Sequence, residues 1–150
     1  MRFTFFIALA LSLVLFVGCT GTENPYGAVH VEGTVTVDGA AIPGINVNFV
    51  PRDGEHAAGG QTDANGKFTV STGGFNGAKP GTYDVVFSKV EIPGQDLSME
   101  EYNARFGGRQ PEPVHIIPQK FESPSTSGIE PVTVDTDRRK NVFTFDLRTQ

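Results

Sequence analysis

Groups able to do chemistry are thinly spread along this 150-residue chain, which has one cysteine, Cys19, no tryptophan and three histidines. His30, His56 and His115 stand far apart, and no HExxH or other ligand spacing joins them to partners. Each reads as a surface histidine. The run Ser123-Pro-Ser-Thr-Ser127 offers hydroxyls, but it has neither a Gly-x-Ser-x-Gly elbow nor a paired base. Glu100 and Glu101 are adjacent in a helical stretch and so project about 100° apart, not toward one substrate. Gly73-Gly74 and Gly107-Gly108 lack the lysine and following helix of a phosphate cradle. Asp63, Asn65 and Gly66 look like the start of a calcium loop, with further oxygens on Asp135 and Asp137, but calcium takes six to eight oxygens. Position 12 counted from Asp63 is Gly74 rather than glutamate, so a turn held by Asp63 is the better reading. These residues predict no enzyme and no cofactor.

Cys19 differs because of what precedes it. Arg2 supplies a positive start, Phe3 to Val17 is almost unbroken apolar sequence, and Phe16-Val17-Gly18-Cys19 closes it. That is the pattern of a secretory signal, too short to be read first as a spanning helix of roughly 20 residues. Its end resembles the lipobox of bacterial lipoproteins. The resemblance implies that Cys19 is diacylated, that the signal over residues 1–18 is removed and that the new amino terminus is acylated. Two or three acyl chains, at about 0.8 kcal/mol per buried methylene, hold a protein to a membrane essentially for good. With Cys19 lipidated, no disulfide is left to form. The chain carries 12 basic and 17 acidic residues, and loses Arg2 with the signal, so no electrostatic footprint for nucleic acid or anionic lipid is expected. Residues 19–28 are small, polar and turn-rich, which predicts a flexible stalk below a domain over residues 29–150.

From Val29 the apolar residues recur with period two. Val29, Val31, Val35 and Val37 alternate with polar residues, and Asp38-Gly39 supplies a tight turn. Ile45, Val47 and Phe49 repeat the alternation until Pro51. Further strands are predicted around Ala57–Thr62, Lys67–Ser71, Thr82–Lys89, Val132–Val134 and Phe143–Leu147, with Phe68, Tyr83, Phe87 and Phe143 inward. Seven short strands with almost no helix argue for a small antiparallel Greek-key sandwich. Between Val90 and Phe121 the rhythm breaks for about thirty residues, too many for a plain connection. Ser98 and Glu101 form a capping box there, Met99, Tyr102 and Phe106 share one helical face, and Gly107-Gly108 ends the turn. One short helix is therefore predicted, packed as a lid on the sandwich. The alternative is that Met99, Tyr102 and Phe106 bind a partner, since long loops on β scaffolds carry function.

The segments Val31-Glu-Gly-Thr-Val-Thr-Val-Asp-Gly39, Ile42-Pro-Gly-Ile-Asn-Val-Asn-Phe-Val-Pro51, Thr62-Asp-Ala-Asn-Gly-Lys-Phe68 and Gly77-Ala-Lys-Pro-Gly-Thr-Tyr83 together resemble the carboxypeptidase regulatory-like domain. The stretches from Ile117 to Phe121, Thr126 to Ile129 and Asn141 to Leu147 resemble the ending of small bacterial lipoproteins built on it. The resemblance implies a transthyretin-like sandwich that performs no chemistry. The sandwich also resembles that of hydroxyisourate hydrolase, but that enzyme's closing Tyr-Arg-Gly-Ser is replaced here by Leu147-Arg-Thr-Gln150. The expectation is a non-catalytic protein of the bacterial cell envelope, held to the membrane through Cys19, facing the periplasm or cell surface, with a cell-envelope protein or glycan as partner and no nucleic acid. The alternative, a carbohydrate- or small-ligand-binding lipoprotein, needs Tyr26, Phe75, Tyr83 or Tyr102 clustered on an exposed face.

Overall fold

The computed structural model describes residues 24–150. Its strands, in chain order, are β1 (Glu32–Val37), β2 (Ala40–Ala41), β3 (Asn46–Pro51), β4 (Ala58–Gln61), β5 (Lys67–Thr69) and β6 (Ser71–Thr72). They continue with β7 (Phe75–Asn76), β8 (Gly81–Ser88), β9 (Val90–Glu91), β10 (Val114–His115), β11 (Val132–Val134) and β12 (Val142–Leu147). Helices α1 (Met99–Phe106) and α2 (Pro124–Ser127) and two 3-10 turns, Gln119–Glu122 and Arg138–Lys140, complete the inventory.

One sheet runs β12-β1-β2 with β5 also paired to β1, and the facing sheet runs β11-β8-β3-β4-β6-β7. The all-β sandwich expected from the alternation is what forms. Period-two patterning turns Val47, Phe49, Val85 and Phe87 inward and leaves Asn46, Asn48 and Val50 outside. Aromatic rings fill the space between the sheets: Phe49 lies 5.9 Å from Tyr83, and Phe87 lies 5.1 Å from Phe145. Tyr83 reaches out of this core only through its hydroxyl, which donates to the Lys79 carbonyl at 2.7 Å, and burial pushes its phenol pKa up.

Two glycines let the layers meet. A Cβ on Gly33 would strike the Phe68 ring at 2.6 Å, so β1 is hollowed there to admit a facing aromatic. A Cβ on Gly60 would run into the Thr69 carbonyl, where the chain from β5 to β6 leaves one sheet for the other.

The structure differs from the sequence expectation in strand number, with twelve strands rather than seven because the short pairs β2, β6, β7, β9 and β10 have too few residues to show an alternation, and in pairing. β1 and β12 run parallel, Glu32 opposite Val142 through to Val37 opposite Leu147, so the sandwich is not wholly antiparallel. The cause is a contact distant in the chain: β12 starts from Asn141, whose carbonyl accepts the Glu32 N–H at 3.1 Å, so both strands leave from the same end. Other differences are smaller. Phe143 is half-buried at the core margin, 5.9 Å from Phe49, rather than inside it. The strand expected from Val29 begins at Glu32, with only an isolated bridge from Val29 to Ala78 before it. Of residues 123–127, read as a turn-rich loop, Pro124–Ser127 form α2 with Pro124 at its first position and Ser123 as the cap, so α1 is not the only short helix.

The stalk also differs. Asn24 accepts the Tyr26 N–H at 3.2 Å and donates from Nδ2 to the Ala28 carbonyl at 2.8 Å, so residues 24–28 form a turn instead of a loose linker.

Carboxylates at the turns act as backbone acceptors. Asp135 is held below the ordinary carboxylate range first by the Asp137 N–H and then by Lys140, and Asp137 first by Arg139. Thr149 does the same to Asp38, and Thr36 to Asp146. Lowered folded-state values mean stability that is full above the unfolded carboxylate pKa and lost as pH falls through the lowered values. The unfolding temperature should therefore hold from pH 7 to about 5 and fall below about pH 4. A flat profile down to pH 3 in thermal melts would show these contacts to be idle.

Candidate interaction surface on the arm over residues 89–116

β8 does not stop at the edge of the sandwich. Past Ser88 it runs on as β9, and β10 returns beside it, with His115 opposite Val90 and Val114 opposite Glu91. The Ile116 N–H donates to the Lys89 carbonyl at 2.8 Å, and Lys89 Nζ donates to the Pro43 carbonyl at 2.9 Å, which fastens the root of this ribbon. Beyond the ribbon sits α1. Its start is the capping box read in the sequence: the Ser98 hydroxyl accepts the Glu101 N–H at 3.3 Å, while Glu101 accepts the Ser98 N–H at 3.0 Å. Its end is Gly107 in the left-handed conformation.

α1 is not the lid that the sequence suggested. None of its residues is buried, and Met99 is 76% exposed. Tyr102 and Phe106, with ring centroids 4.9 Å apart, fold back onto the arm's own turn at Gly94, where a Cβ would meet Phe106 at 2.6 Å. The Tyr102 hydroxyl donates to the Arg109 carbonyl at 3.2 Å. A helix this short needs packing to persist, and the arm supplies it internally. The lid is formed instead by Ile117 and Phe121, both buried against the core on and just before the 3-10 turn Gln119–Glu122. Of the three residues read as a partner-binding face, Met99 is thus open while Tyr102 and Phe106 are half-used.

The apolar residues the sequence did not single out are on the ribbon. Among the described residues, five of the seven exposed large hydrophobic side chains are Val90, Ile92, Met99, Val114 and Ile116, all on the arm. Their alternation is too short to separate an exposed ribbon from a core strand by pattern alone. His115, read as a surface histidine, is partly exposed and has partners. Its Nδ1 pairs with Glu122 at 2.8 Å and its Nε2 contacts the Gln119 amide at 2.8 Å, tying β10 to the lid turn.

The remaining candidates have structural work. His30 pairs with Glu32 at 3.2 Å on the surface, and the His56 ring meets Tyr26 edge-on at 4.9 Å. Asp63 accepts the N–H groups of Asn65 and Lys67 at 2.8 and 2.9 Å, the turn its residue type implied. Among the described residues no group of three or more His, Cys, Asp and Glu could hold a metal ion. A half-open groove of about 480 Å³ runs outside β1 and β5, lined by Thr34, Gln61, Lys67, Thr69 and Val142. Its one aromatic, Phe68, is 3% exposed and offers no stacking face. Tyr83 is buried, Tyr26 and Phe75 are half-buried 5.7 Å apart at the entry turn, and Tyr102 lies on the arm, so the residues the sugar-binding alternative needs are divided between the entry turn, the core and the arm. Cys19 and the apolar run before it lie outside the described residues.

Comparison with protein-family models, with curated proteins and with solved structures gives no match to this chain.

Because α1 packs within the arm, replacing Met99, Tyr102 and Phe106 together by Ala should leave the global urea midpoint almost unmoved, within about 0.5 kcal/mol. Amide exchange at Tyr102 to Phe106 should accelerate at the same time. A midpoint loss like that of a core aromatic would mean the helix caps the sandwich after all.

Proposed function

We propose that this is a lipid-anchored, non-catalytic protein of the bacterial cell envelope. A β-sandwich of the carboxypeptidase regulatory-like kind holds it together, and the arm docks a protein partner. The carrying observation is the concentration of exposed Val90, Ile92, Met99, Val114 and Ile116 on one projecting element, against only Val50 and Val142 elsewhere among the described residues. Apolar side chains gathered on one element mark interaction surfaces far better than the same residues scattered singly. Among the described residues, Asp63 and Asp135 accept turn N–H groups, and His30 and His115 are engaged with Glu32 and with Glu122 and Gln119 on the surface, which supports the non-catalytic reading. The anchor rests on Arg2, the apolar run and Cys19.

Metabolic labelling with a palmitate analogue tests the anchor. The wild type should be tagged and partition into detergent, and Cys19→Ser should lose the tag and leave the detergent fraction or stay unprocessed, with the fold unchanged. A wild type that takes no tag overturns the reading.

A further inference from the structure

We infer that the end of the sandwich carrying Tyr26, His56 and the Arg138–Lys140 turn is seated on the headgroups of the bilayer that holds the chain's own anchor, so that the arm points outward. This rests on lipidation at Cys19.

The strand register fixes which features share an end. Tyr83 in β8 lies opposite Pro51 of β3, and Ser88 opposite Asn46, so the 51–57 loop marks one end and the root of the arm the other. The chain enters at the first of these ends. Tyr26 meets His56 at 4.9 Å and Phe75 at 5.7 Å, and its ring lies so close over Gly73 that a Cβ there would be 2.6 Å away. From Asn24 back to Cys19 is five residues, a covalent reach of at most about 18 Å in any conformation. β8, with eight residues, separates this end from the arm by about 26 Å. An anchor so short, joined to a clasped entry turn, holds this end near the surface and the arm away from it.

The charges suit the same placement. Arg138, Arg139 and Lys140 are consecutive at this end, because β11 finishes beside Gly81 and β12 starts beside Glu32. Asp137 engages Arg139 at 2.8 Å and Asp135 engages Lys140 at 2.9 Å, while Arg138 makes no ion pair among the described residues. Guanidinium groups on an exposed turn match phosphate oxygens in charge and shape. Asp53 and Glu55, exposed on the 51–57 loop at the same end, oppose the attraction of Arg138, and salt screens what remains of it. Tyr26 and His56 add amphipathic rings at the height of the headgroups.

Once Cys19 is acylated, the chain has no other cysteine, so a single introduced thiol can be labelled. Fluorophores at Ala57→Cys and at Met99→Cys report the two ends in lipidated protein on vesicles of phosphatidylcholine with roughly a third phosphatidylglycerol. A quencher fixed to lipid headgroups should act at position 57 at least about threefold more strongly than at position 99. Adding Arg138→Gln, raising the salt, or using phosphatidylcholine alone should shrink that ratio. Equal quenching at both positions overturns the seating, and a ratio indifferent to lipid charge overturns the role of the turn. Both results leave the anchor standing. Failure of the palmitate tag takes anchor and seating down together.

Discussion

Replacing Phe49 by Ala is expected to destabilise the domain by about 3–5 kcal/mol, the usual loss for a fully buried aromatic. Phe49 is 0% exposed and stands 5.9 to 6.2 Å from Tyr83, Phe143 and Phe68, so its removal opens a cavity that rings from both sheets line. Those neighbours are themselves fixed by the strands, which limits how far the hole can close. Against a total of about 5–15 kcal/mol the loss is a large fraction, equivalent to roughly 4 °C of melting temperature per kcal/mol in a domain of this size. Thr69→Ala and Thr144→Ala, on the outer phase of their strands, should change stability by less than about 0.5 kcal/mol. Equal shifts of the urea midpoint at both kinds of position would show that the strand phase is assigned the wrong way round.

Asn141→Ala should cost nearly as much, about 2–4 kcal/mol, for the opposite chemical reason. Asn141 is 0% exposed and polar. Its Oδ1 accepts the Asp135 N–H at 2.8 Å, and its Nδ2 donates to the carbonyls of Asp135 at 2.8 Å and His30 at 3.3 Å. Alanine leaves those backbone groups without their partner in a place water reaches poorly, and each unmet group costs about 1–3 kcal/mol. The same side chain positions the start of β12 beside β1, so the damage should extend to the parallel pair. Amide exchange at Asp135 and along β12 should quicken in the variant. An unfolding midpoint within about 0.5 kcal/mol of wild type would mean that Asn141 is a bystander.

These two residues mark the boundary between what the pattern of residues discloses and what it does not. Phe49 was readable because a strand's side chains alternate with period two, so Val47 and Phe49 against Asn46 and Asn48 already state a direction. Asn141 was not readable, since a lone asparagine between a basic run and a strand looks like any surface turn. Only its approach to His30, 111 residues away in the chain, reveals a buried hub. The capping box at Ser98 and Glu101 was readable for the same reason as Phe49: both partners lie within one turn of the chain.

Local chemistry thus determined the longer strands β1, β3, β4, β5, β8, β11 and β12, the turns at Asp38-Gly39 and Asp63 to Gly66, the extent of α1, and Cys19 as the candidate anchor. Tertiary structure alone decided that β12 pairs parallel to β1 and that Ile117 and Phe121, not the helix, close the core. It also decided that Tyr26 clasps the entry turn, and that the ribbon residues Val90, Ile92, Val114 and Ile116 remain exposed. The physical reason is range. Alternation, capping and turn preference act between residues a few positions apart and leave their mark in the order of residues. Burial, by contrast, depends on which distant surface arrives to cover a side chain, and for the arm none among the described residues does.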